Sequence, residues 1–323
     1  MSGYIIRRFL QMLILLVGIS ILSFSIMHLA PGNPVDLMTD RTATPEDKAR
    51  IAALYGFDQP IYIQYWRWVS QVVQGNFGRS FQTGQPVLTM ILERLPATLL
   101  LNFVAMLMVY LLSIPIGIIS AVKQYSWFDH LVTFFAFLGQ AMPSFWFALL
   151  LIYFIGLRTP FIQISGMSTY GISLSTASLW VVFRDRIRYM ILPLAVLGFG
   201  SLASVTRYMR ASMLEVVNQD YIRTARAKGL AESKVVLKHA FRNALLPIVT
   251  LIGFELPILF SGSVVIETIF SWPGIGLLAW RAVLQRDYQV VMAFNLLGAT
   301  MMVVGVFIAD MLYLVVDPRI KYD

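Results

Sequence analysis

Between Asp220 and Pro247 the sequence DYIRTARAKGLAESKVVLKHAFRNALLP carries Arg223, Arg226, Lys228, Lys234, Lys238 and Arg242, together with His239 and a single Gly229. Cations at this density among apolar side chains suit two tasks. They can hold an interfacial helix pair to anionic lipid, or present a short amphipathic helix to a groove on a protein partner. Glu255 is the other reactive group, a carboxylate inside an apolar run, where charge is costly and faces protein or water. Other chemistries are excluded. The chain has no Cys, hence no disulfide, thiolate ligand or thiol nucleophile. His28, His130 and His239 are too scattered for a metal cluster, and no His/Asp/Glu/Ser constellation stands at catalytic spacing. No GxxxxGK[ST] phosphate loop occurs. We therefore expect no catalytic residue, no metal site and no cofactor on this chain.

The elements that must position these groups are membrane spans. A mean hydropathy of +0.72 with 13% charged residues describes an all-α polytopic membrane protein. About 20 helical residues cross the hydrocarbon core, and runs of that kind fall at 9–29, 97–122, 131–157, 189–206, 243–266 and 288–316. Six spans place both termini on one side. The first run follows Arg7 and Arg8 and is long for a signal-peptide core, so a retained anchor is expected. With the termini inside, 13 Lys and Arg are cytoplasmic and 12 lie outside over about twice the length, which favours both termini cytoplasmic. Arg184, Arg186 and Arg188 run against that assignment. The net charge of +8 suits lipid headgroups; nucleic acid is not expected, because the basic residues sit between spans.

Residues 1–95 read as one span plus a small extracytoplasmic helical segment, 96–317 as a five-span core containing the cytoplasmic loop 207–247, and 318–323 as a tail. In TPEDKARIAALYG, Thr44 is the expected N-cap, Pro45 the first helical position, and Gly56 the stop. IYIQYWRWVSQVVQGNFG reads as an amphipathic helix whose Tyr65, Trp66 and Trp68 pack in a small core or lie at headgroup level. The stretch 158–188 reads as a loop with one interfacial turn, and Pro273 as a turn followed by a short helix.

Gly229 divides the basic segment. Before it, Leu214, Val217, Tyr221 and Ala225 share a helical face; after it, Leu237, Ala240, Phe241 and Ala244 do so, opposite Lys234, Lys238 and Arg242. Two short helices meeting at a glycine bend are expected. This segment resembles the cytoplasmic coupling (EAA) loop of importer-type ABC transporter permeases, in the variant of the dipeptide/oligopeptide/nickel family. The likeness extends through RRFLQM, PGNP, GNFGRSF, MPSFW, RASMLEVVNQDYIRTARAKG, ETIFSWPGIG, RDYQVV and DPRI, in order along the chain. It is similar to the B-type subunit. Arg223 and Thr224 stand where the general pattern has Glu and Ala, and Arg242 where it has Pro, departures that the peptide subfamily shares.

The resemblance implies the type I importer permease fold. It also implies a homologous C-type permease, two ATP-binding subunits carrying ATP and Mg, and an extracytoplasmic solute-binding protein, in the inner membrane of a prokaryote. It assigns ATPase coupling to Arg223, Thr224, Ala225, Ala227, Gly229, Leu230, Lys238 and Arg242, with Ala225, Ala227 and Gly229 filling the ATPase groove. Gln140, Pro143, Ser144 and Glu255 are expected to line a substrate path. Pro143 and Pro115 are expected to break their spans, and the small residues of GFGSLAS, 198–204, suit helix packing or a pore wall. Glu255 departs from the neutral amide common in the family. It would meet a peptide ammonium, pair with an Arg of a partner subunit, or sit protonated. Asp310 reads as structural. The alternative is a stand-alone secondary transporter of a small solute, against which the absence of an internal repeat argues.

Overall fold

A computed structural model of the chain describes residues 2–29, 35, 39, 43–173, 175–255 and 258–316. The PGNP and DPRI motifs and the Asp310 side chain lie outside the described residues. The chain folds as two compact units, Met1–Pro96 with Gly274–Asp323, and Ala97–Pro273. The expected division was linear along the chain; instead the last span groups with the first.

In the first unit, α1 (Ser2–Leu29) opens the chain. α2 (Pro45–Tyr55) has the expected caps: Thr44 accepts from Asp47 N, the Asp47 carboxylate accepts from Thr44 N, and Gly56 closes the helix. The Thr44 hydrogen bonds hold the Asp47 carboxyl below its ordinary range. α3 (Ile61–Val73) follows. Tyr65 and Trp68 pack on Phe24 and Met27 of α1 and on Tyr288 and Met292, and Tyr65 Oη lies 2.8 Å from Ser20 Oγ. These two aromatics form a small core on the first span, whereas Trp66 points outward. α4 (Val87–Val122) starts ten residues before the expected span and runs from the first unit into the second.

In the second unit, α5 (Trp127–Ala141) and α6 (Ser144–Phe154) meet at a 109° bend at Met142–Pro143. The span expected at 131–157 is therefore broken, as proline dictates: it offers no N–H to the carbonyl four residues back. Pro115, by contrast, does not break α4, which is continuous across it. α7 (Leu179–Val217) is 39 residues long and takes in both ends of what read as loop. Its first ten residues are polar enough to escape a hydropathy reading, yet they are tied down. Asp185 is buried and accepts from Thr169 N (2.9 Å) and Oγ1 (2.6 Å), and Arg188 Nε donates to the Phe161 carbonyl (2.8 Å) over that residue's ring. At least Arg188 of the discordant arginine cluster thus serves the fold.

After α8 (Asp220–Ala227) the chain bends, then continues through a turn at Glu232–Lys234, a π-helical turn at Val235–Ala240 and a short helix at Phe241–Ala244. The span expected at 243–266 is helical over α9 (Leu246–Glu255) and α10 (Ile258–Ser261), on either side of two residues outside the description, and is interrupted at Gly262–Ser263 before α11 (Val264–Ile269). In the first unit, α12 (Ile275–Leu284) follows the Pro273 turn as expected and leads into α13 (Tyr288–Val316). Among the described residues four helices, α1, α4, α7 and α13, are long and apolar enough to cross a membrane, or six spans if each of two bent pairs counts as one.

Candidate functional site

The bend is built as the sequence requires. Gly229 has φ +76°, a left-handed backbone that glycine adopts without steric cost, and a Cβ there would meet nothing within 4 Å. Arg226 bridges the bend, with Nη2 donating to Glu232 Oε1 at 2.8 Å and Nε to Oε2 at 3.1 Å. Asn243 Nδ2 donates to Tyr221 Oη at 2.8 Å, tying the two arms together. Under the bend, Ile222, Ala225, Val235, Val236, Ala240 and Ala244 join Met209 and Met213 of α7 in one buried cluster. Removing this apolar surface from water is what holds the loop to the helix root.

Each inward face departs from the expected one at a single position, while Leu214, Val217, Ala240, Phe241 and Ala244 lie in or against the cluster as expected. Tyr221 and Leu237 are exposed, and their neighbours Ile222 and Val236 are buried in their places. The π-helical turn explains the second shift, because an extra residue per turn rotates the stripe relative to a 3.6-residue pattern. Ala225 needs the same correction: it is 7% exposed and packed in this chain's own core, so it does not fill a partner's groove. Arg223, Thr224, Ala227, Gly229, Lys238 and Arg242 are exposed, and Leu230 is half-buried on the cluster. The outward surface is therefore a basic rim around Ala227, Gly229 and the exposed Leu237.

The residues expected to line a path gather along α7. Gln140 Nε2 donates to Ser204 Oγ at 3.1 Å. Ser144 lines a cavity of about 260 Å³ with Gly139, Gly200, Ser201 and Ser263. Glu255 lines a second, of about 140 Å³, with Asn102, Ala105, Val109 and Ser201. Leu197 and Ser201 belong to both cavities, so the two adjoin. Pro143 lines neither; it makes the bend beside the larger one. The small residues of 198–204 serve both readings. A Cβ on Gly139 would stand 3.0 Å from the Phe199 carbonyl and 3.1 Å from Ala203 Cβ, a close helix crossing, while Gly200 and Ser201 face a cavity.

Sequence reasoning passed over three polar anchors. Asp129, 2% exposed, receives Arg210 Nε at 2.6 Å and Nη2 at 2.7 Å, Ser120 Oγ at 2.5 Å and Tyr125 N at 2.9 Å. It joins the start of α5 to the root of α7. The one sequence signal was Ser126, an N-cap three residues before it. Asp287 of RDYQVV, also buried, accepts from Ser80 Oγ (2.5 Å) and Phe81 N (3.2 Å) of GNFGRSF, so these two motifs are halves of one contact. Gly78 of the same motif has φ +79°, and a Cβ there would stand 2.9 Å from Gln289 Oε1. In the second unit, Glu267 of ETIFSWPGIG is fully buried and accepts from Thr98 Oγ1 at 3.0 Å, while Trp272 Nε1 donates to the Ala97 carbonyl at 2.9 Å.

Comparison with known proteins follows the same outline. Residues 113–322 match the family described as binding-protein-dependent transport system inner membrane component, and residues 1–102 match its N-terminal membrane component. The chain is 46% identical, over the full length of both, to the oligopeptide transport system permease protein AppB of Bacillus subtilis. It is 39% identical to the dipeptide transport system permease protein DppB of Escherichia coli K12, covering 100% of this chain and 99% of that protein. It is also 39% identical to the di/tripeptide transport system permease protein DppB of Pseudomonas aeruginosa, over 100% of both chains. A helical chain with four to six candidate spans among its described residues, matching this family over residues 113–322 and its N-terminal component over residues 1–102, belongs to it: the protein is a binding-protein-dependent transport system inner membrane component.

Proposed function

We propose that this chain is the B-type permease subunit of an ABC importer that carries short peptides. One observation carries the reading: relatives at 39% and 46% identity over the whole chain are named as dipeptide, di/tripeptide and oligopeptide permeases. ATP and Mg belong to two separate ATP-binding subunits. A homologous C-type permease completes the pathway, and an extracytoplasmic solute-binding protein delivers the cargo.

In this reading both termini and the loop 207–247 face the cytoplasm, as the Lys and Arg distribution favours. Arg223, Thr224, Ala227, Gly229, Lys238 and Arg242 form the surface that an ATP-binding subunit grips, with Leu237 at its apolar centre. Ala225 and Leu230 support that surface from beneath. The loop is packed on the α7 root through Met209 and Met213, so a displacement of the loop moves α7 with it. Alternating access then follows as rigid-body rocking of this subunit against its partner. Gln140, Ser144 and Glu255 line the path, and Pro143 shapes it.

The test is reconstitution of the complete complex, with its binding protein, in proteoliposomes. ATP-dependent accumulation of labelled di- and tripeptides is the expected result. Accumulation that proceeds without ATP would instead make the chain a secondary transporter, and uptake restricted to non-peptide solutes would remove the cargo assignment.

A further inference from the structure

Glu255 has no ion-pair partner among the described residues, and its cavity is otherwise walled largely by Ala105, Met106, Val109 and Leu197. An ionised carboxylate in such a place is costly unless a cation joins it; otherwise the group carries a proton. Two more acceptors share the cavity. Asn102 spends its amide nitrogen on the Leu259 carbonyl at 3.1 Å, which leaves its amide oxygen, and Ser201 offers a hydroxyl. Carboxylate, amide oxygen and hydroxyl match the three N–H donors of an ammonium group. Behind them the buried Tyr110 stands beside Glu255, close enough for its hydroxyl to act on the carboxylate. The cavity of about 140 Å³ has room for an ammonium and the first atoms behind it, given about 30 Å³ for a water-sized group.

The adjoining cavity has a different chemistry. It presents the hydroxyls of Ser144, Ser201 and Ser263, and it is lined by Gly139. The Gly139 carbonyl has lost its helical donor, because the residue four positions on is Pro143. Hydroxyls and a freed carbonyl are partners for the amide groups that every peptide carries, whatever its side chains.

We propose that Glu255, with Asn102 and Ser201, is a cation-recognition site that takes an ammonium group of a peptide in transit while the adjoining serine-lined cavity holds the peptide backbone. The proposal rests on the peptide-importer reading above. The ammonium is the amino terminus, common to all substrates, or a lysine side chain, and the test separates the two.

Wild-type, Glu255→Gln and Glu255→Asp complexes are purified with all subunits and reconstituted. Uptake of a lysine-containing and a glutamate-containing tripeptide is measured at saturating binding protein. Loss of the charge-assisted hydrogen bonds should lower maximal uptake about tenfold in the Gln variant, and Asp should restore most of it. An equal fall for both peptides assigns the amino terminus; a larger fall for the lysine peptide assigns the side chain. Unchanged uptake by an intact Gln complex overturns the proposal. So does loss of the complex in the Gln variant, with or without the Asp variant, because Glu255 then holds the assembly together. A wild-type complex that takes up neither peptide with ATP removes the importer reading, and this proposal with it.

Discussion

Replacing Asp129 by Asn tests how the loop-bearing helix is held. The substitution keeps the shape of the side chain and its acceptor for Ser120 or Tyr125, but it removes the charge facing Arg210. Two charge-assisted hydrogen bonds are at stake, at 2.6 and 2.7 Å, each of which contributes about 1.5–3 kcal/mol. Breaking a buried pair by deleting one partner costs about 3–5 kcal/mol, chiefly because the other charge is left stranded. Here Asp129 is buried but the Arg210 side chain is 25% exposed and recovers some hydration, so the lower end, about 3 kcal/mol, is expected. If stranding is the cause, Asp129→Asn combined with Arg210→Met is more stable than Asp129→Asn alone. Arg210→Lys keeps a charge but loses the fork, and falls between wild type and Asp129→Asn. The assay is equilibrium unfolding of the purified chain or complex in mixed SDS micelles, read as a double-mutant cycle. A single-mutant cost under about 0.5 kcal/mol, the scatter for uncoupled sites, or a double mutant no better than Asp129→Asn, would refute the argument.

Gly229→Val should leave membrane insertion intact and reduce peptide-stimulated ATP turnover of the complex, because a β-branched residue at φ +76° is strained by about 1–3 kcal/mol although space is open; unchanged turnover would separate the bend from coupling. Gly78→Ala meets both a left-handed backbone and Gln289 Oε1 at 2.9 Å, so limited proteolysis within 43–86 should accelerate severalfold, while equal cleavage rates would discount the contact. The Asp47 carboxyl is held below its ordinary range by Thr44, so it binds its proton more readily unfolded than folded. Its contribution to α2 is present at neutral pH and fades as pH falls through and below the carboxylate range; hydrogen exchange in 45–55, corrected for intrinsic rates, should show weaker protection at low pH in wild type and a smaller change in Thr44→Ala, which keeps only the backbone donor. The chain reconstituted alone should neither hydrolyse ATP nor accumulate solute, and uphill uptake by the lone chain would contradict the assignment to a multi-subunit importer.

Much of this architecture was legible because its causes are local. Apolar runs of spanning length, the Thr44-Pro45 start and Gly56 stop of α2, the break at Pro143 and the left-handed Gly229 each follow from hydropathy or backbone sterics within a few residues. Membership of the family was legible too, because the motifs occur in order along the whole chain. What the motifs do was not. Ser80 and Phe81 of GNFGRSF are 207 and 206 residues from Asp287 of RDYQVV, and only folding brings them together. The continuity of α4 through Pro115 and the polar start of α7 also lay beyond local rules. A lost hydrogen bond can be tolerated in a packed helix, and Asp185 and Arg188 find their partners across a loop.

The loop itself shows where the boundary lies. Composition and the glycine determined two short basic helices and a bend. Which face turns inward was decided by tertiary packing: the π-helical turn rotates the second stripe, and Ala225 is drawn under the bend with Ile222. Periodicity specifies a stripe only relative to an assumed 3.6 residues per turn, and a local change of helical pitch is chosen by the fit of side chains against α7. The same holds for Glu255. Its cost in an apolar run was evident from the sequence, whereas its companions Asn102 and Ser201 come from two other helices, and no spacing rule along a single chain relates them.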